Sequence, residues 1–179
     1  MTEVGTVYGE ALYDLAKTEG LSEAISQELT VLRDSFSQEP DFLRLLGAPN
    51  LSKQERCKIL DDSFRGKLAP YTLNFLKILT EKGYIRHFSD CCEAYMTRYY
   101  DDNGILPVTA ITAVPMTEEQ TRKLREKLAA GTGKKILLHS RVEPGTLGGV
   151  RLEYDGRQLD DTVAHRFQSI SDLLKKTVL

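Results

Sequence analysis

The residues of this chain that could do chemistry are scattered, and no spacing assembles them. Gly131-Thr132-Gly133-Lys134-Lys135 has the glycines and lysine of a phosphate loop. A working loop needs G-x-x-x-x-G-K-[ST] between a strand and a helix, where aligned N–H groups cradle the phosphates. Here Leu128 stands in the place of the first glycine, Lys135 replaces the hydroxyl, and the context is helix then strand. The segment reads as a helix stop. Gly145-Thr146-Leu147-Gly148-Gly149 precedes a strand, which suits a bulge or a close backbone approach. His87, His139 and His165 lack the i,i+4 partner of a metal-binding helix. Asp61-Asp62, Asp101-Asp102 and Asp160-Asp161 are adjacent pairs whose side chains splay apart, so they read as turn and cap residues. Cys91 and Cys92 would point about 100° apart on a helix, a poor geometry for a shared metal. With Cys57 they make three thiols, an odd count that fits a reducing compartment. No serine stands in a G-x-S-x-G elbow. These residues predict no enzyme, no metal and no cofactor.

Composition narrows the classes further. The 179 residues are 41% apolar and 28% charged, a globular composition. No apolar run approaches the ~18 residues of a membrane span, and the first residues lack the basic and apolar regions of a secretory signal. Residues 1–104 hold 12 basic and 17 acidic groups, net −5, whereas residues 105–179 hold 12 and 9, net +3. That asymmetry suggests two units with different surfaces. Neither carries the dense basic run with interleaved aromatics expected of a nucleic-acid binder.

The elements that would position any site follow from periodicity. Residues 1–104 read as six short helices in an antiparallel bundle. The first carries Val4, Val7, Tyr8, Ala11, Leu12 and Leu15 as one stripe. The second carries Leu21, Ile25, Leu29, Leu32 and Phe36. Pro40 opens the third, Ser52 and Glu55 form a capping box for the fourth, and Pro70 opens the fifth. The sixth carries Ile85, Phe88, Cys92, Tyr95 and Tyr99 and runs out before Gly104.

At Gly104 the period changes. Residues 105–179 predict a small α+β domain in the order β-α-β-β-β-α. Its strands begin with the β-branched run Ile105–Val114. A capping box at Thr117–Gln120 opens the intervening helix, Asp155-Gly156 turns a hairpin, and Asp161 or Thr162 caps a final helix. The fold class is therefore all-α followed by α+β.

Apolar surface is in surplus. On the fifth helix Leu73, Leu76 and Leu79 form one edge, and Tyr71, Asn74 and Ile78 another, while a bundle needs only one inside. Either all of it is core, or a groove between the first and fifth helices receives an amphipathic helix of another protein.

Three segments carry a family resemblance. Tyr8-Gly9-Glu10-Ala11-Leu12-Tyr13-Asp14-Leu15-Ala16 resembles the opening helix of the delta subunit of F-type ATP synthases, the family that includes the mitochondrial oligomycin-sensitivity-conferring protein. Asn74–Gly83 resembles its fifth helix and following turn. Leu147–Val163 resembles its strand, hairpin and closing helix, with Thr162 where serine is usual. The resemblance covers nearly the whole chain. It implies a non-catalytic peripheral-stalk subunit that joins the catalytic head to the b subunits, so that rotor torque does not spin the head. It implies that the N-terminal helix of an alpha subunit binds a groove formed here by Tyr8, Ala11, Leu15, Asn74 and Ile78. It also implies that the C-terminal domain meets the b subunits, for which Gly149 and Arg151 are the residues carried over. Start at Met1 with no transit peptide suits the cytoplasmic face of a bacterial plasma membrane, held there by partners alone. The alternative reading is a generic helical adaptor with an unrelated partner.

Overall fold

The computed structural model describes residues 2–146, 148–154 and 156–160. Six α-helices precede the first strand: α1 (Glu3–Thr18), α2 (Ser22–Gln38), α3 (Pro40–Leu46), α4 (Lys53–Phe64), α5 (Pro70–Lys82) and α6 (Phe88–Asp102). The second part adds β1 (Ile105–Thr112), α7 (Glu118–Thr132), β2 (Lys135–Val142), β3 (Val150–Tyr154) and β4 (Arg157–Asp160). Among the described residues this makes seven α-helices and one four-stranded sheet. The expected final helix after Asp161 lies outside them. Two compact units divide between Tyr99 and Tyr100, inside the last turn of α6.

Local chemistry sets the helix ends. Ser52 Oγ accepts the Glu55 N–H, and Glu55 accepts the Ser52 N–H at 2.8 Å, a closed capping box. Thr117 and Gln120 do the same for α7. Gly83 at φ +79 ends α5 in the left-handed conformation that only glycine adopts cheaply. Ile85 stands in a 3-10 turn, Ile85–His87, so α6 begins three residues later than its apolar spacing suggests.

The N-terminal unit packs around Ile25, Leu29, Leu32 and Phe36 of α2, as their spacing predicts. Phe36 touches Phe42, Phe64 and Phe88, with ring centroids 5.1–6.3 Å apart. Tyr95 of α6 meets Tyr13 of α1 edge-on at 5.3 Å, and its hydroxyl donates to the Ser22 carbonyl.

The buried face of α1 differs from the expected stripe. Gly5, Gly9, Leu12, Tyr13 and Ala16 face inward, while Val7, Ala11 and Leu15 face solvent. The cause is close approach to α6. A Cβ on Gly5 would fall 2.3 Å from Asp90 Cβ, and one on Gly9 would fall 2.3 Å from the Cys91 carbonyl oxygen. Two glycines one turn apart let the backbones meet, so the larger side chains of α1 are turned elsewhere.

α5 lacks a capping side chain of its own at Ala69. Glu28 of α2 supplies the cap from another helix. Its carboxylate accepts the Ala69 N–H at 2.7 Å and the buried Thr72 hydroxyl. Glu28→Ala is expected to leave both donors unpaired and to cost about 2 kcal/mol in a urea unfolding curve.

In the second unit the sheet order is β2-β1-β3-β4, with β1–β2 parallel and the other pairs antiparallel. α7 makes the crossover between the parallel strands, as a β-α-β order requires. Leu106, Val108 and Ala110 of β1 form the small core with Ile136 and Leu152. Tyr154 pairs with Arg157, so the hairpin connection is two residues long, and Gly156 has φ +69.

Candidate partner-binding groove

α1 and α5 are tied side chain to side chain at both ends, and the ties run them in opposite directions. Near the start of α1, Tyr8 meets Tyr84 edge-on at 5.8 Å; Tyr84 lies two residues past the end of α5. At the other end, Tyr71 in the first turn of α5 lies near Glu19, the C-cap of α1, whose carboxylate pushes the Tyr71 pKa up. From Tyr8 to Glu19 the helix rises roughly 16 Å, about three turns.

Of the five groove residues expected from the sequence, four are exposed and Tyr8 packs partly against the core. Tyr8 is half-buried, and Ala11 and Leu15 are exposed on α1. Asn74 and Ile78 are exposed on α5, while Leu73, Phe75, Leu76 and Leu79 fill the core behind them. Leu15 is 42% and Ile78 37% exposed, so the apolar surplus on this edge is not all core.

The start of α1 is held firmly. Thr2 caps the helix through Gly5 N–H, and Asp90 of α6 accepts both the Thr2 N–H at 3.1 Å and its hydroxyl at 2.6 Å. Those two bonds hold the Asp90 carboxyl below its ordinary pKa. A clamped helix presents its outer face in one orientation, which lowers the entropy cost of binding.

Gly149 and Arg151 belong to the other unit. Gly149, exposed at φ +82, leads into β3. The Arg151 side chain is only 21% exposed, because its charge is engaged within the sheet. It contacts Glu143 at 2.7 Å and Glu153 at 3.6 Å, and Arg141 contacts the same two carboxylates at 2.8 and 3.8 Å. Both arginines pair in register with the fully buried Ile111 between them. This four-residue ion-pair ring was not visible in the sequence.

Reactive chemistry finds no support in the thiols. Burial raises the Cys91 pKa to about 11 and pushes Cys92 higher still; Cys57 is half-buried and raised by burial and by Glu81. Alkylation of the native protein at pH 8 is expected to label Cys57 slowly and to spare Cys91 and Cys92. Mass spectrometry after denaturation should then find all three labelled.

The model of the ATP synthase delta (OSCP) subunit family matches residues 4–174. The chain belongs to that family. ATP synthase subunit delta of Alkaliphilus oremlandii is 30% identical over 96% of each chain, and that of Clostridioides difficile is 28% identical over 96% of this chain and 95% of its own. A chain in the cryo-EM structure of the Toxoplasma gondii mitochondrial ATP synthase hexamer shares the fold, with a TM-score of 0.77, 18% identity, and 97% and 98% of the two chains covered. As a member of the delta (OSCP) family, the protein is a non-catalytic peripheral-stalk subunit of an F-type ATP synthase. Among its described residues no helix is long and apolar enough to cross a membrane.

Proposed function

We propose that this delta-family subunit holds the catalytic head through the α1/α5 groove and meets the b subunits of the peripheral stalk through its C-terminal unit. The N-terminal helix of an alpha subunit is the guest of the groove, with Tyr8, Ala11, Leu15, Asn74 and Ile78 as its floor and walls. Residues 1–104 form the helical, head-binding domain, read as one antiparallel six-helix bundle, and residues 105–179 form the stalk-binding domain closed by a final helix. Gly149 and Arg151 lie in the segment assigned to b. The protein acts at the cytoplasmic face of a bacterial plasma membrane, and its partners alone hold it there.

One observation carries this reading. Exposed apolar side chains, Leu15 on α1 and Ile78 on α5, line two helices that approach each other at both ends. A helix seated there buries apolar area while satisfying its own backbone hydrogen bonds. A stator contact must hold under load without chemistry, and wide shape-matched burial does that.

The test is a binding assay with purified head complex, intact or with the alpha N-terminal segments removed. The intact head is expected to bind this protein saturably and the truncated head to lose most of that affinity. Equal binding by both would refute the groove assignment.

A further inference from the structure

We propose that the docking strip runs past the end of α5, and that Tyr84 and Val7 are further anchors for the guest helix. This rests on the groove reading above and extends it by two residues outside the five assigned to the groove there.

Among the described residues of the N-terminal unit, six large apolar side chains are exposed: Val7, Leu15, Val31, Leu45, Ile78 and Tyr84. Four of them lie on α1, on α5 or on the turn that ends α5. Val7, Ala11 and Leu15 follow each other in steps of four, so they form one stripe along α1. Val7, at 59% exposure, is the most exposed of that stripe's large side chains and continues it beyond Tyr8.

Tyr84 reaches the same end of the groove by a different route. Gly83 in the left-handed conformation reverses the chain, and the Tyr84 N–H donates to the Leu79 carbonyl at 2.7 Å. The turn carries the ring back against Tyr8, and the His87 ring also meets it edge-on with centroids 6.4 Å apart. A tyrosine that is 36% exposed yet in contact with two rings loses little freedom on binding. That is the profile of an anchor residue at an interface.

The occupant follows from shape and charge. The described residues of this unit offer no strand edge, so an extended peptide has no backbone to pair with. The strip is about three helical turns long, and residues 1–104 carry net −5. The guest is therefore an amphipathic helix with apolar residues at i, i+4 and i+7 and with lysine or arginine beside them.

The test is calorimetric titration of the full chain with a synthetic peptide of the alpha N-terminal region from the same organism. Tyr84→Ala and Val7→Ser are each expected to weaken binding about fivefold or more, and Tyr84→Phe to retain it. Ile78→Asp serves as the control for the groove itself. Unchanged affinity in Tyr84→Ala and Val7→Ser, with binding lost in Ile78→Asp, would overturn the extension and leave the groove standing. No effect of any substitution, or no binding by the unsubstituted protein, would overturn both. If Tyr84→Ala lowers the melting temperature, Val7→Ser decides, because its exposed position has no packing to lose.

Discussion

Gly9→Val is expected to destabilise the N-terminal unit by about 3 kcal/mol or more, lowering its Tm by more than roughly 10 °C. Two effects oppose each other. Replacing a mid-helix glycine removes backbone entropy from the unfolded chain, a gain of up to about 1 kcal/mol. Against it, the first added carbon would lie 2.3 Å from the Cys91 carbonyl oxygen and 2.8 Å from Ala94 Cβ. Backbone atoms of α6 cannot rotate away, so α1 and α6 must separate, and the Tyr13–Tyr95 contact between them weakens. The overlap wins. Gly131→Ala makes the contrast, since Gly131 lies in α7 with nothing within 4 Å of an added Cβ. There only the propensity term acts, and a small gain of up to about 1 kcal/mol is expected. Circular dichroism melts of the two variants give the comparison directly.

Ile78→Asp is expected to weaken binding of the alpha N-terminal helix more than about a hundredfold while changing folding stability by no more than about 0.5 kcal/mol. Ile78 is 37% exposed, and the core of α5 is filled by Leu73, Phe75, Leu76 and Leu79, so an aspartate there stays hydrated in the free protein. In the complex the carboxylate would be buried against apolar side chains with no partner, a cost that falls on the bound state alone. Isothermal titration and a thermal melt of the same sample separate the two terms. A stability loss as large as the affinity loss would mean that Ile78 belongs to the core.

Much of the fold was legible because its signals are local. The capping boxes at Ser52–Glu55 and Thr117–Gln120 need only four consecutive residues, and both form with both bonds made. Pro40 and Pro70 open helices, and the alternation Val150, Leu152, Tyr154 gives a strand. The buried side of α1 was not legible from apolar spacing, because that pattern counts large side chains. Here small residues define the inner face, and Gly5, Gly9 and Ala16 carry no such signal. Three members of the stripe expected from apolar spacing, Val7, Ala11 and Leu15, are what α1 shows to solvent. Long-range polar pairing was equally hidden. Glu28 caps a helix whose N-cap, Ala69, lies 41 residues later, and nothing in the spacing of Arg141, Glu143, Arg151 and Glu153 announces a closed ring. The groove residues Tyr8, Ala11, Leu15, Asn74 and Ile78 came from the family resemblance, and the surplus of apolar surface on α5 was the only physical hint of them.

Hydrogen exchange of the full chain, free and saturated with the alpha N-terminal peptide, tests the central claim most directly. Slowed exchange confined to α1 and α5, with α3 and α4 unchanged, is the result expected of a helix seated in the groove. Protection on α3 and α4 with α1 and α5 unchanged would contradict it and would move the head-binding surface to the opposite part of the N-terminal unit's helix order.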